Sequence, residues 1–296
     1  MCNRMWSFVP FVAFALQNRV RILVPFFGEY ASDFPALGAL PRIHFARTAH
    51  PFFLRVVRRL LRASRSIPPS MRSFLRLRIS DDWGHEHWRE DILVAPFSAV
   101  FLAGWTHPPP VADLRPWRDD LRVILRPGEA LRRRGDELVA AARQRARNVV
   151  GIHLRRADYR TWAGGRYCYT NAQYAALMGR IRDLVDGPTV FLLCSNEPIA
   201  EADFVGFDVG RLPGASGLED LHVLSLCDMI AGPPSTYSMW ASFIGDVPLH
   251  IVESIEAPLA ANQFSPVIAL NRFADGRQFS LAKAAGDDLD AWFRAE

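Results

Sequence analysis

Val149-Val150-Gly151-Ile152-His153-Leu154 is the stretch that decides the fold, because its unbroken apolar run predicts a short buried strand. Three further strands and three helices alternate after it, with predicted ranges 171–185, 189–194, 217–226, 228–231, 235–243 and 249–252. This alternation indicates an α/β fold in which a parallel sheet is covered by helices on both faces. A ligand crevice is then expected at the carboxyl ends of the strands.

The chain before this stretch is predicted to form a domain of its own. The turn signal Arg126-Pro127-Gly128 is followed by a charged helix predicted over residues 129–147. We therefore predict a boundary near residue 147, with domains 1–147 and 148–296.

The amino terminus shows half of a strand–helix–strand unit. A helix is predicted over 7–18, with Ser7 at its start, and a buried strand over 20–26. A helix of this kind normally follows a strand, so we expect the reading frame to encode a further strand upstream of Met1.

Composition indicates a globular protein of one large or two medium domains. The 296 residues are 50% hydrophobic and 22% charged, which excludes a disordered or fibrous chain. The net charge is only +4, and 34 of the 35 basic residues are Arg. A nucleic-acid partner is not predicted.

Positive charge is concentrated between residues 34 and 80, which hold ten Arg and no acidic residue. Residues 52–65 have apolar positions every three to four residues and predict an amphipathic basic helix. Two roles remain open for this helix. It packs on a core with its Arg side chains in solvent, or it forms a surface for anionic lipid or a charged acceptor glycan.

Membrane and secretion signals are weak. No uncharged apolar stretch approaches the length of about 18 residues that a membrane span needs. The run of residues 5–16 after Arg4 resembles a short signal peptide, but Ser7 and Pro10 interrupt it.

No metal site is predicted. Four cysteines, Cys2, Cys168, Cys194 and Cys227, are far apart and form neither a zinc motif nor a disulfide framework, so reduced thiols are expected. Asp288-Leu289-Asp290 lies in a predicted terminal helix rather than after a strand, which argues against an acidic metal site there.

Two adjacent arginines follow the first strand, in Arg155-Arg156-Ala157-Asp158. One guanidinium can bind a phosphate through two hydrogen bonds while Asp158 or a second oxygen holds the other. A fixed cation pair of this kind can stabilise a departing diphosphate without a metal. The alternative is an Arg–Asp pair on the surface.

Two helix starts complete the candidate site. Asp220 is near the beginning of a predicted helix, where its carboxylate could cap the helix or accept two hydrogen bonds from a guanine edge. Ser235 and Thr236 open the next helix, and the free backbone N–H groups there form an anion site.

In this order and spacing, the segments resemble the fucosyltransferases of the H-x-R-R-x-D superfamily, most of all the bacterial α-1,2-fucosyltransferases. Residues 153–159 match the signature H-x-R-R-G-D-Y, and residues 220–240 match the block D-L-x-x-M-S-x-C-x-x-x-I-x-A-N-S-T-F-S-W-W. Cys2-Asn3-Arg4-Met5 looks like the amino-terminal G-N-[QR]-[LM] motif, and Leu102-Ala103-Gly104-Trp105 like the segment before the linker.

The resemblance implies a GT-B fold, in which two Rossmann-like domains with parallel sheets face a cleft. Domain 1–147 would be the acceptor side, and domain 148–296 would bind the nucleotide sugar. The implied activity is inverting, metal-independent transfer of fucose from GDP-fucose to a glycan hydroxyl, with no cofactor. Bacterial polysaccharide would be the setting, in the cytoplasm or peripherally at the inner membrane through residues 52–65.

The resemblance also assigns roles to residues. Arg155 would hold the β-phosphate, Arg156 would support it, and Asp158 would orient the arginine pair. The donor-binding set is His153, Asp220, Ser235, Thr236 and Tyr237, of which the first two would lie at the guanosine and the two hydroxyl residues at the diphosphate. Asn3 and Arg4 would lie at the cleft. Three carboxylates, Glu29, Asp33 and Asp158, are candidates for the general base.

Four positions depart from the family pattern. Cys2 and Ala157 stand where the motifs have glycine, Pro234 replaces Asn, and Met239 replaces the first Trp. A lost glycine restricts how closely a backbone approaches a ligand. Two alternatives therefore remain: a GT-B enzyme with another nucleotide sugar, and an inactive relative that binds nucleotide or glycan.

Overall fold

The computed structural model describes residues 1–24, 27–45, 77–80, 99–102, 113–281 and 284, with single positions between 52 and 71. Contacts divide the chain into two units, Met1–Arg126 and Pro127–Glu296. The predicted helix at 52–65 and the segment 103–105 lie largely outside the described residues, and Asp288 and Asp290 lie outside them entirely.

The first unit contains helices and two parallel strand pairs. Within the continuously described ranges of this unit, the helices are α1 (Cys2–Asn18) and α2 (Arg118–Ile124), and the strands are β1 (Ile22–Val24), β2 (Ile43–Phe45), β3 (Leu77–Ser80) and β4 (Ala99–Leu102). Strand β1 pairs in parallel with β2, and β3 with β4. The strand predicted at 20–26 is thus present, and its partner β2 was not predicted.

Helix α1 starts five residues earlier than predicted. The Ser7 hydroxyl donates a hydrogen bond of 2.7 Å to the carbonyl of Arg4, so Ser7 lies inside the helix and does not cap it. Met5, Val9 and Val12 are fully buried at helical spacing, and this apolar stripe extends the helix to Cys2.

The second unit is built around a five-stranded sheet. Its strands are β5 (Asn148–Leu154), β6 (Thr189–Ser195), β7 (Asp208–Gly210), β8 (Met229–Gly232) and β9 (Leu249–Ile251). The spatial order is β7-β6-β5-β8-β9, and every pair is parallel. The parallel sheet predicted from the sequence is confirmed.

Helices of this unit are α3 (Glu129–Arg145), α4 (Asn171–Leu184), α5 (Gly217–Ser225) and α6 (Thr236–Gly245). Single-turn 3₁₀ helices are Gly28–Tyr30 and Arg115–Trp117 in the first unit, and Ala157–Arg160, Trp162–Gly165, Glu201–Phe204 and Ala261–Gln263 in the second. An antiparallel hairpin of β10 (Val267–Ala269) and β11 (Arg272–Phe273) follows β9.

Helix α3 belongs to the second unit, so the division differs from the boundary predicted near residue 147. Arg134 pairs with Glu219 of α5 at 2.8 Å, and Arg143 pairs with Asp228 at 2.9 Å. Val139 and Ala142 form the buried side of the helix. These contacts join α3 to the sheet domain.

The order of the strands positions a crevice. The chain runs from β5 outward through β6 to β7, then returns to the other side of β5 for β8 and β9. In open α/β sheets, ligands bind at the carboxyl ends of strands where this reversal occurs, here β5 and β8. The two strands approach closely, since a Cβ on Gly232 would lie 2.8 Å from the Cβ of His153.

Among the described helices, none combines the length and apolar character that crossing a bilayer requires.

Candidate functional site

A cavity of about 520 Å³ opens at the carboxyl edge of the sheet in the second unit. It is lined from β5 by His153 and Arg155, from the segment after β6 by Asn196 and Glu197, and from α5 and α6 by Asp220 and Tyr237. Four residues of the predicted site, His153, Arg155, Asp220 and Tyr237, therefore meet in one cavity.

His153 lies at the end of β5 and is 2% exposed. Burial, together with the nearby charge of Arg155, lowers the pKa of its imidazole to about 3, so the ring is neutral at physiological pH. The ring packs on that of Tyr237 with centroids 4.9 Å apart. Its Nδ1 is buried without a hydrogen-bond partner in the described part of the chain, which leaves a polar atom in the wall of the cavity.

Arg155 lines this cavity beside His153. Its Nη2 lies 3.0 Å from Oδ2 of Asp158, and its guanidinium carbon lies 5.5 Å from the centre of the Tyr159 ring. The Nε is buried and, among the described residues, has no acceptor. Asp158 was predicted to orient both arginines, and in this structure it pairs with Arg155, whose guanidinium keeps further donors for an anion.

Arg156 points away from the cavity. Its Nη2 donates to Oδ1 of Asn171, at the start of α4, and its side chain does not line the cavity walls described here. Successive residues after a strand point in different directions, which explains why one arginine faces the cavity and the other a helix start. In this structure Arg156 contacts the start of α4, and its predicted support of the phosphate stays a prediction.

Ala157 has a φ of +49°, in the left-handed region. An L residue with a Cβ rarely adopts this conformation, and glycine adopts it freely. The position at which the family signature has glycine is therefore one where this chain holds an alanine under backbone strain.

Asn196 and Glu197 were not predicted as site residues. Oδ1 of Asn196 accepts the N–H of Arg156 at 2.9 Å, and Oε1 of Glu197 accepts the N–H of Ala157 at 3.1 Å. Hydrogen bonds from Arg160 hold the pKa of Glu197 below its usual value. The signal in the sequence was a polar pair at the carboxyl end of a predicted strand.

Asp220 is 7% exposed and does not cap its helix. Ser216 is the N-cap of α5 and forms a capping box with Glu219. Oδ2 of Asp220 instead accepts the N–H of Ser195 at 3.0 Å, which fixes the carboxyl against the end of β6. Burial raises the pKa of Asp220 to about 7, and the opposing charge of Arg211, which also lines the cavity, limits the rise.

The start of α6 is held by its own residues. The Ser235 hydroxyl accepts the N–H of Tyr237 at 3.2 Å and caps the helix, while the Tyr237 hydroxyl donates to the carbonyl of Gly217 at 2.6 Å. Ser235 and Thr236 are each 7% exposed and do not contribute to the described walls of the cavity. The structure brings Tyr237 to the cavity, whereas Ser235 and Thr236 are not among the residues that line it.

Two other departures from the family pattern are Pro234, which takes part in a contact between two loops, and Met239, which lies in the core. Pro234 accepts a hydrogen bond at its carbonyl oxygen from the hydroxyl of Tyr159. Met239 is fully buried in α6, next to Trp240, which packs on Phe243 with ring centroids 5.6 Å apart. Met239 therefore acts in packing.

Asn3 and Arg4 lie in α1 of the first unit, where Asn3 is buried. Nη1 of Arg4 lies 2.6 Å from Oε1 of Glu29. Partial burial favours a higher pKa for Glu29, but the hydrogen bond and charge of Arg4 outweigh it and hold the pKa below its ordinary value. A carboxylate stabilised in this way is a weaker base than a free one. Asp33, in the same unit, lies 3.5 Å from the hydroxyl of Ser32.

Ionisable ligands for a metal do not cluster in the described residues. All four cysteines are free, and burial raises the pKa of both Cys194 and Cys227. These two thiols are inert at neutral pH.

Comparison with known proteins identifies structures but no sequence family. No family model and no curated protein matches the chain. Fucosyltransferase NodZ from Bradyrhizobium is 16% identical, with 84% of this chain and 90% of that chain covered and a TM-score of 0.49. POFUT1 in complex with GDP is 12% identical, with coverage of 82% and 90% and a TM-score of 0.47.

A variant of Arabidopsis thaliana FUT1 in complex with GDP is 13% identical to the chain. The likeness covers 97% of this chain and 76% of that chain, with a TM-score of 0.54. The predicted α/β fold class is therefore confirmed, and the protein shares its fold with a plant fucosyltransferase of the GT-B class.

Proposed function

We propose that the protein is an inverting, metal-independent glycosyltransferase that transfers fucose from GDP-fucose to a glycan hydroxyl. The observation that carries the proposal is the cavity at the carboxyl edge of the sheet, where the guanidinium groups of Arg155 and Arg211, one neutral imidazole and the buried carboxyl of Asp220 line the same space. A nucleoside diphosphate offers a partner to each of these groups.

The diphosphate would bind at Arg155. Its Nη groups can hydrogen-bond the phosphate oxygens, and Asp158 and the Tyr159 ring already fix its direction. Negative charge grows on the diphosphate as the bond from the sugar C1 to its oxygen breaks. Because the guanidinium is already oriented, it stabilises this charge with little reorganisation.

The guanine would bind at Asp220. A carboxylate can accept hydrogen bonds from the N1–H and N2–H₂ groups of guanine together, whereas adenine has no such pair of donors. One oxygen of Asp220 is held by the Ser195 amide, so the carboxyl is already oriented when a base arrives. His153 and Tyr237 would line the path between base and diphosphate.

The acceptor oxygen attacks C1 from the face opposite the diphosphate, and its proton passes to a base. Glu29, Asp33 and Asp158 remain the candidates for that base. The FUT1 variant of Arabidopsis thaliana, whose fold this chain shares, is a fucosyltransferase in complex with GDP, which supports GDP-linked fucose as the donor. An α-1,2 linkage, a bacterial polysaccharide acceptor and a cytoplasmic location with membrane contact at 52–65 belong to this proposal.

The unit after Pro127 would be the donor side and the unit before it the acceptor side. Binding of GDP, ADP and UDP by calorimetry, followed by turnover of GDP-fucose in the presence of candidate glycans, tests the proposal. Tighter binding of GDP than of ADP together with fucosyl transfer is the expected result. Equal binding of all three nucleotides would contradict the assignment of Asp220.

A second candidate is a relative that binds nucleotide or glycan without turnover. The strained backbone at Ala157 favours it, because this loop carries Arg155. GDP binding with no release of GDP from GDP-fucose, with or without glycan, would identify this second function. A GT-B enzyme with another donor would instead turn over a different nucleotide sugar.

A further inference from the structure

The loop that carries Arg155 and Arg156 is held by two side chains from the segment that follows the neighbouring strand β6. Asn196 binds both peptide groups of Arg156: its Oδ1 accepts the N–H at 2.9 Å, and its Nδ2 donates to the carbonyl oxygen at 3.5 Å. A side-chain amide that pairs with a peptide in this way replaces a rung of the sheet beyond the end of β5 and β6.

Glu197 holds the next peptide. Its Oε1 accepts the N–H of Ala157 at 3.1 Å, and its two oxygens bind the guanidinium of Arg160 at 2.6 and 2.7 Å. Its own N–H donates to the Ser195 hydroxyl at 3.2 Å. One carboxylate therefore closes the loop from residue 157 to residue 160.

The loop conformation needs such support. Ala157 has a φ of +49°, and an alanine does not select this region from its local preferences. The contacts from Asn196 and Glu197 lie on both sides of the strained residue, and both side chains also line the cavity beside Arg155.

We propose that Asn196 and Glu197 are positioning residues that hold the 155–160 loop in the conformation in which Arg155 binds a diphosphate. The inference rests on the proposed function for the identity of the ligand. Neither residue transfers a proton or contacts the reacting bond. They act through the peptides of Arg156 and Ala157.

The test compares the wild-type protein with Asn196→Ala, Glu197→Ala and the conservative Asn196→Asp and Glu197→Gln. Asp275→Asn is the matched control. Asp275 accepts the N–H of Arg277 at 2.9 Å and its Nε at 2.6 Å, so it makes the same pair of contacts away from the cavity.

Hydrogen exchange at the amides of Arg156 and Ala157 is measured first, without any ligand. Asn196→Ala should speed exchange of the Arg156 amide about tenfold, and Glu197→Ala should do the same for the Ala157 amide, as expected for loss of one hydrogen bond. Inorganic pyrophosphate and GDP should then bind about tenfold more weakly, and kcat for GDP-fucose should fall by a similar factor. Asp275→Asn should match the wild-type protein in all three, and Glu197→Gln should recover part of the loss because it keeps an acceptor for Ala157.

Unchanged exchange in both alanine variants overturns the inference, whatever the protein turns over. Faster exchange with wild-type pyrophosphate affinity also overturns it, because the loop would then be loosened without effect on the anion site. If an alanine variant fails to fold, Glu197→Gln and Asn196→Asp are compared with Asp275→Asn instead. The same measurements of amide exchange, pyrophosphate and GDP binding and kcat then decide the inference. A wild-type protein that binds pyrophosphate but does not turn over GDP-fucose contradicts the proposed function, and the exchange and pyrophosphate measurements still decide the inference.

Discussion

The hydroxyl of Tyr159 donates a hydrogen bond to the carbonyl oxygen of Pro234, and this contact joins the loop after β5 to the start of α6. Tyr159 is 5% exposed, its ring packs on Trp162 with centroids 4.6 Å apart, and the guanidinium of Arg155 lies over it. One side chain thus links the proposed diphosphate cation to the helix start that faces it.

Tyr159→Phe should weaken both folding and binding. The ring and its contacts remain, but the Pro234 carbonyl loses its donor, at a cost of about 1–3 kcal/mol for an unsatisfied buried acceptor. Thermal unfolding and GDP calorimetry measure the two effects. Tyr169→Phe is the control. The buried hydroxyl of Tyr169 donates to the Val252 carbonyl at a distance of 2.9 Å, and this contact lies outside the 155–160 loop. An equal loss of GDP affinity in both variants would contradict a specific link.

Ala157→Gly should stabilise the protein. Glycine relieves about 1–2 kcal/mol of left-handed backbone strain in the folded state. It also raises the conformational entropy of the unfolded chain, which destabilises the folded state by about 0.4–1 kcal/mol, so the net gain in stability is about 0.5–1 kcal/mol. Denaturant unfolding measures it. Ala163 also has a left-handed φ, +51°, but lies outside the 155–160 loop, so Ala163→Gly should show a similar gain in stability. A lower stability of Ala157→Gly would show that the conformation carries no strain.

Arg155→Ala should abolish turnover and preserve the fold. Loss of one preorganised donor to developing charge costs about 3–4 kcal/mol, which corresponds to a decrease in kcat of about 10²–10³-fold. Single-turnover release of GDP from GDP-fucose measures it. Arg182→Ala is the control, because Arg182 packs on Phe207 at 4.9 Å and does not line the proposed site. More than about a tenth of wild-type kcat in folded Arg155→Ala would contradict the assignment.

Asp220→Asn should be more stable than the wild-type protein at pH 8 and should bind GDP less tightly. The folded-state pKa of Asp220, about 7, lies above its unfolded value, so the folded protein retains a proton that the unfolded chain has lost between about pH 4 and 7. Wild-type stability therefore falls as pH rises through this window, by on the order of 2–4 kcal/mol at full effect. Asparagine removes this penalty and keeps an acceptor for the Ser195 amide.

Melting temperatures of both proteins between pH 4 and pH 8 measure this effect. The advantage of Asp220→Asn should be absent near pH 4 and largest at pH 8. In the wild-type protein, GDP affinity should rise as the carboxyl ionises near pH 7. Arg211→Gln should move that rise to higher pH, because the charge of Arg211 lowers the pKa of Asp220. A stability difference that does not change with pH would show that Asp220 is ionised in the folded protein throughout.

The sheet could be predicted because its strands are short apolar runs between clear helices. Residues at strand ends, such as Arg155, could be assigned to the crevice because parallel strands share one edge. Strand β7 has three residues and no such run, so local pattern alone did not identify it. Asn196 and Glu197 follow β6 as an ordinary polar loop, and their role depends on a register between strands that the sequence does not display.

The chain divides after Arg126, whereas the boundary was predicted near residue 147, and the difference again comes from contacts between residues that are distant in sequence. Helix α3 is highly charged, and its buried side is narrow, with Val139 and Ala142 as its apolar side chains. Its sequence therefore did not indicate that it packs on the sheet domain. Arg134 and Arg143 then pair with acids that come more than 80 residues later. Contacts over such separations leave no periodic signal. For Asp220, the sequence left helix capping and guanine binding open, and the structure shows that Ser216 caps the helix instead.

The central position of β5 has a consequence for synthesis on the ribosome. Val150 pairs with Phe191 on one side and with Met229 on the other, 79 residues later in the chain (229 − 150). At about 5–20 residues per second, roughly 4–16 s pass between translation of the strand and translation of its second neighbour. During that time this buried strand has an open edge, so aggregation of the nascent chain should depend on elongation rate, and slow codons between β6 and β8 should lower the yield of folded protein.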